Sequence, residues 1–208
     1  MSGNILILGI GNVLWADEGF GVRCVEQLNE RYQFPERVKL MDGGTQGIYL
    51  VQHVQEAECL IVFDAIDYGL PPGTLKIIRD DEVPKFMGAK RMSLHQTGFQ
   101  DVLALADFTG AYPKELLLVG VQPEELEDFG GSLRDPVRAQ LEPALDVALS
   151  FLAERGVKPL PRAANDPYID QLSPEQLTLS RYEQERPGEQ QAYRHGDIRF
   201  IPQPDERD

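Results

Sequence analysis

The stretch Ile5-Leu-Ile-Leu-Gly-Ile10, followed at once by Gly11-Asn12, decides the fold. A strand with one wet face alternates apolar and polar residues. This run has no polar side chain, so it reads as a strand buried on both faces, and the glycine and asparagine stop it in a turn. Residues 17–31 follow at a different period. Phe20, Cys24, Val25 and Leu28, with Tyr32 just beyond, share one face of a helix.

The same alternation continues along the chain. Residues 38–41 predict a second strand, stopped by Asp42-Gly43-Gly44, and residues 47–54 a short helix. Cys59-Leu-Ile-Val-Phe63 predicts a third buried strand ending at Asp64, and residues 73–78 a fourth with more exposure. Residues 95–106 read as a helix striped by Phe99, Val102, Leu103 and Ala106, and residues 115–121 as a fifth strand closed by Gln122-Pro123. Asp135 suits the cap of a last helix, with Pro136 at its first position and Val137, Leu141, Leu145, Leu149 and Leu152 along one face. Pro143 conflicts with that helix, since an interior proline costs about 3 kcal/mol. A bend or two short pieces is expected there. Buried strands alternating with amphipathic helices predict an α/β fold, a mostly parallel sheet with helices on both faces.

Composition shifts near residue 158. Seven of the 15 prolines fall in residues 159–208, among few aliphatic side chains. This predicts two units: a folded domain over 1–158 and a Pro-rich, largely irregular C-terminal extension over 159–208, with one short helix opening near Ser173-Pro174-Glu175.

At 208 residues and 42% hydrophobic, the chain suits one α/β domain plus an extension. Its 34 acidic and 20 basic residues give a formal charge of -14, which repels a phosphate backbone and argues against nucleic acid as a partner. The two cysteines, Cys24 and Cys59, form no CxxC pair and read as buried thiols. The run 5–10 is too short to cross a bilayer and lacks a basic leader, so no direct membrane insertion and a cytoplasmic location are expected.

In sheets of this kind ligands bind beyond the carboxyl ends of the strands. The first such place holds Gly9-Ile-Gly11 and, further on, Asp17-Glu18-Gly19-Phe-Gly21. A dinucleotide fingerprint would need glycine at Leu14, and two carboxylates would repel a pyrophosphate. No nucleotide or flavin cofactor is expected. The second place is Asp42-Gly43-Gly44-Thr45-Gln46-Gly47, a backbone that an extended ligand can approach closely. The third is Asp64, and before the long helix stands Ser93-Leu94-His95-Gln96-Thr97.

Glu18, Asp64 and His95 thus come from three segments that the sheet brings to one edge. Two carboxylates and an imidazole suit a divalent ion of borderline hardness, with coordination positions left open. Each also has an ordinary reading: Glu18 as a charge at a helix N-terminus, Asp64 as a turn residue, His95 as a cap.

Taken together, Ile7-Leu-Gly-Ile-Gly-Asn12, Asp17-Glu-Gly-Phe-Gly21-Val, Asp42-Gly-Gly-Thr45-Gln-Gly47, Phe63-Asp64-Ala and Ser93-Leu-His95-Gln resemble the nickel–iron hydrogenase maturation endopeptidases, over roughly residues 4–155. The resemblance implies a three-layer fold around a twisted, mostly parallel five-stranded sheet. It implies removal of a C-terminal extension from a hydrogenase large-subunit precursor after nickel insertion. It assigns the metal contacts to Glu18, Asp64 and His95, and substrate recognition or catalysis to residues 42–47. The tail is similar to that of members serving uptake hydrogenases.

The residues offer no ready nucleophile for amide hydrolysis. There is no GxSxG elbow and no HExxH. Cys24 falls within a helix and Cys59 at a buried strand start, and Ser93 lacks a base with its orienter. Metal-dependent or carboxylate-assisted hydrolysis is expected instead, with Asp64 and Asp42 as catalytic candidates and the substrate strand lying along Gly43, Gly44, Thr45, Gln46 and Gly47. Nickel enters as cargo of the precursor, not as a resident cofactor. Two rivals stay open: a checkpoint protein that senses nickel without cutting, and a nucleotide-binding oxidoreductase.

Overall fold

The computed structural model describes residues 3–87, 94–163 and 171–185, and the side chains of residues 85–97 lie outside that description. The elements in chain order are β1 (Ile5–Ile10), α1 (Phe20–Arg31), β2 (Tyr32–Gln33), β3 (Val38–Gly44), α2 (Val51–Glu56), β4 (Cys59–Ala65), β5 (Leu75–Arg79), α3 (Glu82–Met87), α4 (Leu94–Phe108), β6 (Glu115–Val121), α5 (Asp135–Arg138), α6 (Leu141–Glu154), β7 (Leu160–Pro161) and α7 (Leu179–Glu185). Short 3-10 turns cover Ala16–Gly19, Gly47–Leu50 and Glu175–Leu177.

The main sheet has five strands in the order β3-β1-β4-β6-β5. β3, β1, β4 and β6 run parallel, and β5 joins β6 antiparallel at the edge. β1, β4 and β6 bury nearly every residue, whereas the edge strand β3 buries only Val38 and Gly43, and parity sorts the side chains between two layers. Ile5, Ile7, Ile61, Phe63, Leu117 and Val119 pack with α1 and α6. Leu6, Leu8, Leu60, Val62, Leu116 and Leu118 pack with α2 and α4. Each such side chain contributes about 1.5–3 kcal/mol when fully buried. Asp64 and Gly120 have the even parity of the second layer, the one that contains α4.

Pro143 is resolved by a division into two helices. α5 ends at Arg138 and α6 begins at Leu141, so the proline sits in the first turn of α6, where its missing N–H has no intrahelical partner to lose. Arg134, not Asp135, occupies the N-cap position of α5, and its side chain does not cap. The sequence reading passed over α3, a single short helix between β5 and α4.

The segment after α6 is held to the body at several points. β7 pairs antiparallel with β2. Arg162 Nε donates to the carbonyls of Asn29 and Tyr32 at 2.9 and 3.0 Å, at the C-terminal end of α1. Beyond residue 170 the chain returns along α1 as the 3-10 turn and α7.

Candidate active site

Glycines set the geometry at the carboxyl edge of β1. A Cβ on Gly21 would stand 2.2 Å from the Phe63 carbonyl oxygen and 2.3 Å from that of Ile10, so only glycine lets the first turn of α1 press against the ends of β4 and β1. Gly11 has φ +127°, and a Cβ there would meet the Glu18 carbonyl oxygen at 1.8 Å. The turn carrying Glu18 therefore lies directly over the end of β1. Gly9 and Gly11, the glycines that look like a dinucleotide fingerprint, make close contacts with the carbonyls of Gly21 and Glu18.

Asp17 and Glu18 are adjacent and do different things. Asp17 is fully buried: its Oδ2 accepts the N–H groups of Glu124 and Glu125 at 2.8 and 2.9 Å, and its Oδ1 accepts that of Arg134 at 2.7 Å. It fixes the loop after β6. Trp15 and Phe129 stack edge to face across the same junction, 5.2 Å between ring centres. Glu18 is half-buried, and this burial raises its carboxyl pKa above the usual range.

Asp64 ends the apolar run of β4 and is 1% exposed. Its strand neighbour across the β4–β6 pair is Gly120. Tyr68 uses the missing side chain there: its hydroxyl stands 1.9 Å from where a Gly120 Cβ would be. Burial first, and the Asp64 charge second, push the Tyr68 phenol well above its ordinary pKa. Gln122 ties the two loops together. Its Oε1 accepts the N–H of Tyr68 at 2.7 Å and its Nε2 donates to Asp67 Oδ1 at 3.0 Å. The sequence reading missed Tyr68 and Gln122. A glycine inside the unbroken apolar strand Glu115–Val121 was the available signal, since it marks a close approach by another group.

β3 carries a bulge where the Gly-rich segment begins: Gly9 faces Asp42 and Ile10 faces Gly44, leaving Gly43 over. Asp42 Oδ1 accepts the Gly44 N–H at 2.8 Å, and Gly44 has φ +47°. Asp42 Oδ2 accepts the hydroxyl of Ser173 at 2.8 Å. Thr45 and Gln46 are exposed. Gly47 and Gly98 touch backbone to backbone, with a Gly47 Cβ falling 3.7 Å from Gly98 Cα. This sets the N-terminal part of α4 against the Gly-rich segment. His95 is the second residue of α4; its side chain, and all of Ser93, lie outside the described residues.

The sheet edge thus gathers the backbones that carry Glu18, Asp64, His95 and residues 42–47. Among the described residues no group of three or more His, Cys, Asp or Glu side chains forms a metal cage. Glu18 and Asp64 are the two described side chains of the expected set. Cys24 and Cys59 are buried thiols; burial pushes Cys59 up to about 11 and Cys24 well above its ordinary value, so neither is a nucleophile at neutral pH. No helix among the described residues is long and apolar enough to cross a membrane.

A sequence model described as hydrogenase maturation protease matches residues 22–151. The chain is 79% identical to hydrogenase expression/formation protein HupM of Azotobacter chroococcum mcd 1, over 100% of this chain and 98% of that one. It is 58% identical to HoxM of Cupriavidus necator, over 96% and 98%. The hydrogenase maturating endopeptidase HybD from E. coli superposes with TM-score 0.73 at 46% identity, covering 76% of this chain and 98% of that one. With the sheet order, the glycine-set edge and these likenesses in agreement, the chain belongs to the hydrogenase maturation protease family and is a peptidase.

Proposed function

We propose that this endopeptidase removes the C-terminal extension of a nickel–iron hydrogenase large-subunit precursor after nickel insertion, and that Glu18, Asp64 and His95 read the nickel the precursor carries. The observation that carries the reading is the buried Asp64 at the end of β4. Its carboxylate ends an apolar strand at the carboxyl edge of the sheet, where sheets of this kind bind their ligands, and a divalent ion of borderline hardness brought in by the substrate suits a carboxylate there. The Glu18 turn over β1 and the N-terminal part of α4 against Gly47 support a shared edge for the three residues. The bulge at Gly43 and the exposed Thr45 and Gln46 that follow it support an extended substrate strand. Ile48 and Tyr49, 50% and 80% exposed, give that strand an apolar margin.

In this reading the three residues complete the coordination of the precursor's nickel and hold its cleavage segment beside them. Water attacks the scissile carbonyl carbon while Asp64 accepts its proton. The proton passes to the leaving amine nitrogen as the C–N bond breaks, giving a carboxylate and a free amine. Asp42 orients the Gly-rich segment: its two oxygens hold Gly44 N–H and Ser173 Oγ, a geometry that favours positioning over acid/base work. In this reading the reaction takes place in the cytoplasm.

Intact-mass measurement tests the reading. The full-length protein is incubated with nickel-loaded and nickel-free precursor. Loaded precursor should lose the mass of its extension and nickel-free precursor should keep it. Loaded precursor of unchanged mass would favour the non-cleaving checkpoint.

A further inference from the structure

The segment 171–185 is anchored at both of its ends and in its middle, and one anchor is at the candidate active site. Ser173, 7% exposed, donates to Asp42 Oδ2 at 2.8 Å. Arg23, on α1 and 2% exposed, pairs with Glu26 at 2.8 Å, donates to the Leu177 carbonyl, and sits 5.7 Å from the ring centre of Tyr182. Glu183 accepts from both Arg138 and Ser132. Burial raises the Glu183 carboxyl, but the hydrogen bonds from Arg138 and Ser132 and the nearby arginine charges bring it below the usual range overall. Arg23 is thus buried with its helix partner Glu26 and also bonds the backbone of this segment.

The segment lies outside the part of the chain matched by the family's sequence model, which ends at residue 151. HybD from E. coli is matched over 98% of its length by 76% of this chain, whereas HupM is matched over 98% of its length by the whole chain. The chemistry common to the family is thus carried without a segment of this kind. A strap that reaches Asp42 in some members adds a wall to the substrate path and no reacting group.

From this placement, and resting on the proposed precursor-cleaving activity, we propose that residues 171–185 form a specificity strap. Anything laid along residues 43–47 and extending past Asp42 meets Ser173 and the strap behind it. Ser173 and Glu183 therefore help select which large-subunit precursor is accepted, through binding and not through the chemical step.

The test uses the full-length protein with two nickel-loaded large-subunit precursors that differ in their C-terminal regions. Ser173→Ala and Glu183→Ala are made singly and together. Tryptic cleavage at Arg181 reports release of the strap, and thermal unfolding reports the fold. The double variant should raise KM for the preferred precursor about tenfold, equivalent to about 1.4 kcal/mol, with kcat within twofold. KM for the other precursor should change little, so the preference shrinks. Equal losses on both precursors that track a fall in Tm would overturn the proposal in favour of a purely structural strap. Unchanged kinetics with a released strap, or faster cleavage of both precursors, would also overturn it. Wild-type protein that cleaves neither precursor would overturn the activity itself, and the strap's role with it.

Discussion

At Asp17, three backbone N–H groups from the loop after β6 converge on one buried carboxylate, while the next residue, Glu18, stays half-exposed at the sheet edge. Residue type alone does not separate two such neighbours; their partners do. The glycines are more legible, because each acts by what it lacks. By helix propensity alone, Gly21→Ala should stabilise by up to about 1 kcal/mol. The carbonyl oxygens 2.2 and 2.3 Å from the new Cβ reverse the sign. We expect a net loss of about 1–3 kcal/mol, read from the denaturant midpoint. The thiols give a second expectation at this scale. With Cys59 at about 11 and Cys24 buried, the native protein at pH 8 should take up no iodoacetamide over minutes and keep its activity. Mass spectrometry of native and denatured samples, two adducts appearing only after denaturation, checks this.

Among the elements, α5 and α6 show a local conflict settled by a break in the helix. Pro143 inside one long helix would lose a hydrogen bond and clash, so replacing it by alanine would stabilise by about 3 kcal/mol. In the first turn of α6 it does neither. Pro143→Ala should therefore move stability by no more than about 0.5 kcal/mol, measured by urea unfolding. The continuous apolar runs of β1, β4 and β6 were readable because a strand buried on both faces has no alternative use for such residues. α3 was not, since one helical turn and a half shows no period. The site was legible through its strand ends: Asp42 and Asp64 stand where apolar runs stop. Tyr68 was hidden because its place depends on Gly120, which is distant in sequence and adjacent only once β4 and β6 pair. Ser173 was hidden for the same reason.

For the whole molecule, the two core clusters pack on the two faces of one sheet. We propose that residues 1–158 fold without residues 159–208. Among the described residues both core clusters are built from the first 158 residues, with Leu172 alone packed against one of them from beyond. Removing the strap returns Arg23 and Glu26 to water, where a charged pair has little cost. A chain ending at residue 158 should show native circular dichroism and lose less than about 10 °C in Tm. Failure to fold would make the strap part of the domain.

In the proposed function Glu18, Asp64 and His95 recognise nickel held by another polypeptide. The direct measurement is the dissociation constant of nickel-loaded and nickel-free precursor for the wild-type protein and for Glu18→Gln, Asp64→Asn and His95→Ala. Wild type should prefer loaded precursor by about 150-fold, the value of about 3 kcal/mol of metal contacts. Each variant should bring the two constants to within a few-fold of each other, with the fold unchanged. A wild-type protein that binds both forms equally, or a preference that survives all three substitutions, would contradict the claim.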